Sequence, residues 1–99
     1  MEQRVNVDNH EWVLNGDGLY EVTSDYIIEN TRTWMDNPEY SGYVFICKVI
    51  GEELHPWLLL TDDSMLGAYI NFMNNNTDMD IRAYVVSNIN LPTIGVLCV

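Results

Sequence analysis

The pattern of apolar and polar positions predicts a β-hairpin near the start of the chain. Residues 10–14 and 19–22 are short, largely apolar segments, and the sequence Asn-Gly-Asp-Gly joins them. Asn-Gly and Asp-Gly favour the positive φ angles that tight hairpin turns need. Residues 1–9 have a mixed composition without a clear period, and they predict no element.

Further along, four segments have the composition of strands. Residues 42–50 form a continuous apolar run with β-branched and aromatic side chains, which is typical of a central strand. Residues 56–61 return after a short turn, and Pro56 is acceptable at the first position because that position need not donate a hydrogen bond. In residues 79–87 apolar and polar side chains alternate, and residues 94–99 allow one more strand.

Two segments have the period of an α-helix. The first runs from about residue 25 to residue 36, with Thr23 or Ser24 as the N-cap and an Asn-Pro pair that ends it. The second begins at the Asp-Asp-Ser triplet of residues 62–64 and continues to about residue 74. A run of asparagines there supplies a C-cap.

These elements predict an α+β fold. Their order, β-β-α-β-β-α-β-β, gives an antiparallel sheet of five to six strands with two helices on one face. Residues 19–87 have the β-α-β-β-α-β order of the ferredoxin-like sandwich, and another α+β arrangement of the same elements is the alternative. The length of 99 residues predicts a single acidic domain, 1–99, and the 47% apolar content argues against disorder.

The composition of the chain is strongly acidic. The chain has fifteen Asp and Glu residues and four Lys and Arg residues, which gives a formal net charge of −11. It also contains eleven asparagines, so many of its polar positions hold an uncharged side chain rather than a cationic one. A surface selected only for solubility mixes both charge signs. The sequence therefore indicates that positive charge is avoided. Because nucleic-acid binding requires Lys and Arg, we expect no direct contact with nucleic acid or membrane, and a basic protein as partner.

The negative charge is concentrated in two segments. Residues 1–39 carry a net charge of −7 and residues 52–63 a net charge of −4, whereas residues 64–77 and 83–99 carry no charged side chain. Four charged residues fall along one face of the predicted first helix, and this face is either a solvated surface or an imitation of the DNA phosphates. On the second interpretation, the partner-binding residues are Asp25, Glu29, Asp36, Glu52, Glu53, Asp62 and Asp63.

The second predicted helix is apolar around most of its circumference. Only Gly67, Asn71 and Asn74 form a polar stripe, whereas a helix that covers one face of a sheet needs an apolar arc of little more than about 100°. Either this helix is deeply buried, or residues 65–74 form a homodimer interface together with the uncharged C-terminal segment.

No motif predicts catalysis, a metal or a cofactor. His10 and His55 lack metal-ligand spacing to another His or Cys, and the serines stand in no nucleophile motif. Cys47 lies inside an apolar strand, where we expect a buried and inert thiol. We therefore expect a protein without enzyme activity, and the absence of a signal sequence or long apolar run predicts a cytoplasmic location.

The leading hypothesis is a small acidic inhibitor that occupies the basic nucleic-acid-binding site of a target protein. Such DNA mimics are often encoded by phages against restriction or CRISPR systems. One alternative is an immunity protein or antitoxin for a basic toxin or nuclease, anchored by exposed aromatic residues such as Trp12, Trp34 or Tyr40. Another is a non-enzymatic structural or assembly subunit.

Overall fold

The computed structural model describes residues 3–86, which form one antiparallel sheet and two α-helices. The sheet has the strand order β1-β2-β3-β5-β4-β6. Its strands are β1 (Arg4–Val7), β2 (His10–Leu14), β3 (Tyr20–Val22), β4 (Val44–Ile50), β5 (Glu53–Leu60) and β6 (Ile81–Val85). The helices are α1 (Arg32–Met35) and α2 (Leu66–Asn75), and single 3-10 turns lie at Pro38–Tyr40 and Asp63–Met65. The predicted α+β class is confirmed, and the strand predicted at 94–99 lies outside the described residues.

Two consecutive hairpins form the first half of the sheet. In the β2–β3 hairpin the Asn15 side chain accepts hydrogen bonds from the backbone N–H groups of Asp17 and Leu19, at 2.9 and 3.1 Å. The sequence predicted this hairpin correctly but not the preceding one, in which β1 pairs with β2. The connecting residues Asp8 and Asn9 have φ angles of 59° and 61°, and Asp and Asn tolerate this left-handed conformation better than most residues do.

Strand β4 is buried on both of its faces. Val44, Phe45, Ile46 and Cys47 are all 0% exposed. Val44 and Ile46 belong to the cluster that contains Tyr69 of α2, whereas Phe45 and Cys47 belong to the cluster that contains Trp34 of α1. The helices therefore lie on opposite faces, and the prediction of both on one face was wrong. A continuous apolar strand needs cover on each side, which one layer of helices does not provide.

The strand order also differs from the ferredoxin-like sandwich. In that fold the last strand lies beside the first strand of the βαβ unit, at the other side of the sheet. Here β6 pairs with β4, with Ile46 opposite Ala83. The place beside β3 is taken by β2 through their hairpin, which leaves the β4 edge as the position for β6.

The prediction of the first helix was wrong for residues 25–31, which are not helical. Ile28 instead pairs with Leu54 in an isolated antiparallel bridge, so this segment runs extended along the start of β5. The helix begins only after Asn30, whose side chain accepts a hydrogen bond from the Arg32 N–H at 2.9 Å. Pairing with the sheet overrides the local helical period here.

The second predicted helix is confirmed. The Asp62 carboxylate accepts a hydrogen bond from the Ser64 N–H at 2.9 Å, a single 3-10 turn follows, and α2 then continues to Asn75. Pro56 stands inside β5 rather than at its first position. It lies opposite Cys47, where the β4–β5 register shifts, and proline is tolerated at such bulges.

The Asp8 carboxylate joins the first hairpin to the segment that covers one sheet face. Its Oδ2 accepts hydrogen bonds from the Tyr26 hydroxyl and from Trp34 Nε1, each at 3.0 Å. The Asp8 backbone N–H donates to the Tyr40 hydroxyl at 2.9 Å. Burial, followed by the nearby Asp8 charge, raises the pKa of Tyr26, so its hydroxyl remains a donor.

We predict that Asp8→Ala lowers the free energy of unfolding by about 2–4 kcal/mol, because two largely buried donors lose their acceptor. Urea denaturation followed by tryptophan fluorescence measures the loss. Asn9→Ala is the matched control, since it places alanine in the same turn conformation without removing a carboxylate. Equal losses in the two variants would show that the cost comes from the backbone alone.

Candidate functional site

Four of the seven predicted partner-binding residues lie at one end of the sheet. The β4–β5 turn passes through Gly51, whose φ of 63° suits glycine, and it places Glu52 and Glu53 at this end. The Ile28–Leu54 bridge brings the extended segment with Asp25 and Glu29 to the same place. Strand pairing, rather than a helix face, groups these carboxylates.

Three of these carboxylates line a groove with a volume of about 680 Å³, which we call the acidic groove. Between its glutamates lie three aliphatic side chains, and one of them, Ile27, is 46% exposed. Among the described residues that line it there is no Lys or Arg. The lining residues are Ile27, Ile28, Glu29, Asn30, Thr33, Glu52, Glu53 and Leu54.

His55 lies between two of the carboxylates at this end. Its Nδ1 is 3.0 Å from Asp25 Oδ1, and its Nε2 is 3.8 Å from Glu53 Oε1. The Nε2 atom is inaccessible to solvent and has no hydrogen-bond partner within the described part of the chain. The imidazole therefore holds Asp25 against β5 but does not present a basic nitrogen to a ligand.

A second cavity, of about 280 Å³, adjoins the other side of His55. It contains the only lysine of the chain, and Lys48 Nζ lies 4.0 Å from the ring centroid of Trp57. This cation–π contact keeps a positive charge in the same cavity as Glu21 and Asp25. The second cavity thus contains its own cation, in contrast to the acidic groove.

The other three predicted residues lie elsewhere. Asp36 lines a neighbouring depression together with Arg32, and that depression shares Asn30 and Thr33 with the acidic groove. Asp62 and Asp63 lie beyond the opposite end of β5. Because β5 has eight residues, they are separated from the groove by about 23 Å of strand.

The aromatic anchors suggested for an immunity protein are not available. Trp12 and Trp34 are fully buried, and Trp34 stacks on Phe45 with ring centroids 4.1 Å apart. Tyr40 is half-buried and uses its hydroxyl as the acceptor for the Asp8 N–H. The expectation that Trp12 and Trp34 are exposed was therefore wrong, because both fill the core on the α1 face.

The reactive groups of the described residues are few. No group of three or more His, Cys, Asp and Glu side chains within residues 3–86 has the geometry to hold a metal ion. Burial raises the pKa of the Cys47 thiol to about 12, which keeps it protonated and unreactive near neutral pH. In the same part of the chain, no helix has the length and apolar character required to span a bilayer.

Comparison with known proteins identifies no relative: no protein-family model, curated protein or solved structure matches this chain. Sequence reasoning found the carboxylates through their charge but missed the aliphatic lining of the groove. Ile27 and Ile28 fall within the segment that the sequence predicts as the first helix, although two adjacent β-branched residues also favour extended backbone.

We predict that Glu29→Gln/Glu52→Gln/Glu53→Gln raises the free energy of unfolding by about 0.5–1 kcal/mol at low salt, because it relieves repulsion between clustered carboxylates. Urea denaturation at low and at high salt measures the gain, which should vanish at high salt. Asp17→Asn/Asp78→Asn/Asp80→Asn removes the same charge from exposed positions outside the groove. An equal gain in this control would contradict the clustering.

Proposed function

We propose that the protein is a small acidic inhibitor that binds the basic nucleic-acid-binding site of a target protein. One observation carries the proposal: three glutamates line one groove, with no Lys or Arg among its described lining residues, in a chain of net charge −11. A concave surface of one charge sign attracts a surface of the opposite sign. It does so most strongly where bulk water is partly excluded.

The distribution of carboxylates suits a partner that normally holds duplex DNA. Asp25, Glu29, Glu52 and Glu53 would replace phosphates at one end of the sheet. Asp62 and Asp63 would do so about 23 Å away, which corresponds to about seven base pairs at 3.4 Å each. A DNA-binding cleft of that length would contact both ends of β5 at once. A DNA mimic encoded by a phage against restriction or CRISPR proteins, active in the cytoplasm, fits this arrangement.

Long-range charge complementarity would act mainly on the rate of association. Oppositely charged surfaces steer a diffusional encounter, and added salt screens this attraction over a Debye length of about 10 Å at 0.1 M. Inhibition should therefore weaken steeply as salt is added. A target that keeps its affinity at high salt would depend on other contacts.

An immunity protein for a basic nuclease or toxin is the second candidate, supported by one observation. Ile27 and Ile50, at the same end of the sheet as the carboxylates, are 46% and 54% exposed. Exposed aliphatic side chains beside carboxylates are suited to an interface that combines charge with apolar contact. Such a partner would be bound through the protein surface around its active site.

We predict that the immobilised protein captures DNA-binding proteins from a bacterial lysate at low salt, and that duplex DNA or added salt releases them. Glu29→Gln/Glu52→Gln/Glu53→Gln should lose most of this capture. The control Asp17→Asn/Asp78→Asn/Asp80→Asn, with the same net charge, should retain it. Mass spectrometry of the fractions released by DNA identifies the captured proteins.

Two outcomes of the capture experiment would contradict the proposal. In the first, the bound proteins resist both salt and DNA, which indicates an apolar interface and favours the immunity-protein alternative. In the second, the two triple variants lose capture equally, which indicates a general effect of net charge rather than of the acidic groove.

The homodimer through residues 65–74 and the C-terminal segment stays a prediction. Helix α2 carries no charged side chain and leaves Ile70 39% exposed, whereas the C-terminal part of the interface lies outside the described residues. We expect light scattering to give twice the chain mass of 11.4 kDa at micromolar concentration, and Ile70→Glu to give the monomer. A monomeric parent protein would contradict the dimer.

A further inference from the structure

We infer that the acidic groove binds a peptide segment of the partner in which arginine or lysine alternates with large apolar residues. This inference rests on the proposed function, and it specifies the chemistry that the partner presents. A surface that only imitates DNA phosphates needs exposed carboxylates and gains no affinity from an apolar lining. The proposed peptide site uses both.

The groove carries apolar side chains between its charged ones. The bridged pair Ile28 and Leu54 forms part of the lining, and Ile27 stands beside them with nearly half of its surface exposed. Covering exposed aliphatic surface in a concave site with another apolar group is favourable, because it removes that surface from water. The methylene stems of lysine and arginine cover part of this surface, and a leucine or similar side chain beside them covers more of it.

The described lining of the groove also contains no Lys or Arg side chain that would neutralise its glutamates. In the neighbouring cavity Lys48 lies over Trp57, near Glu21 and Asp25. Among the described residues, no lysine or arginine lines the groove that contains Glu29 and Glu52. The groove therefore offers its carboxylates to a cation from outside the chain.

The mixed lining of the groove also matches long cationic side chains. Arginine and lysine lay their methylene stems along apolar surface while the charged head remains with solvent or counter-ions. The guanidinium group of arginine also bonds carboxylates through two parallel N–H donors. A volume of about 680 Å³ lies within the usual range of ligand pockets, about 300–1,000 Å³, so more than one side chain can enter.

Two synthetic peptides of equal charge test the inference. One alternates arginine with leucine and the other alternates arginine with glycine, and calorimetry at physiological salt gives the affinity of each. We expect the leucine peptide to bind about tenfold more tightly. Ile27→Ser should remove this preference. Ile50→Ser is the matched control, since it removes a similarly exposed isoleucine outside the groove, and it should leave the preference intact.

The outcomes separate this inference from the proposed function. Equal binding of the two peptides, or loss of preference in Ile50→Ser as well, overturns the inference, while capture of DNA-displaceable proteins still supports the function. If neither peptide binds, the inference is also overturned. A preference for the leucine peptide without any DNA-displaceable partner supports the groove chemistry and overturns the nucleic-acid-binding site as the target. Circular dichroism confirms that each variant is folded.

Discussion

The burial of the first four residues of β4 on both faces of the sheet is the constraint on which the other elements depend. These four residues face two separate cores, so one helix has to lie on each side of the sheet. On one side α2 is long enough to provide the cover. On the other side α1 has only four residues, and so short a helix has little stability of its own. The stacking of Trp34 on Phe45 and the hydrogen bond to Asp8 hold it in place.

This arrangement also produces the candidate site. Trp34 is stacked on Phe45, and Tyr26 is hydrogen-bonded to Asp8. These two contacts restrict the course of the backbone between Tyr26 and Trp34. This segment runs along the start of β5, where Ile28 pairs with Leu54 in the isolated bridge. The carboxylates of the groove are therefore grouped by the packing of the sheet face that Tyr26 and Trp34 cover. The packing of Trp34 in the core thus determines, through the backbone, where the surface carboxylate of Glu29 lies.

Local signals in the sequence were sufficient for the β2–β3 hairpin, the central strand and α2, because each has its own turn or cap residues. They failed for residues 25–31, where an amphipathic period was compatible with a helix but a non-local pairing with Leu54 prevailed. For the site, charge alone identified the seven carboxylates. It did not reveal that Glu29 meets Glu52 and Glu53 while Asp62 and Asp63 lie at the far end of β5, since that division follows from strand order. The asparagine excess also has a partly structural origin, because Asn15, Asn30 and Asn37 each accept a backbone N–H bond that shapes a turn.

The contact between Lys48 and Trp57 has a practical consequence. Of the three tryptophans, two are fully buried in the α1-side core, and Trp57 alone is partly exposed, close to the acidic end of the sheet. Its ring lies directly beneath the only side-chain ammonium group of the chain. The protein therefore carries an intrinsic optical probe at the end where the carboxylates gather. It also carries a single side-chain amine for covalent attachment of a label beside that probe.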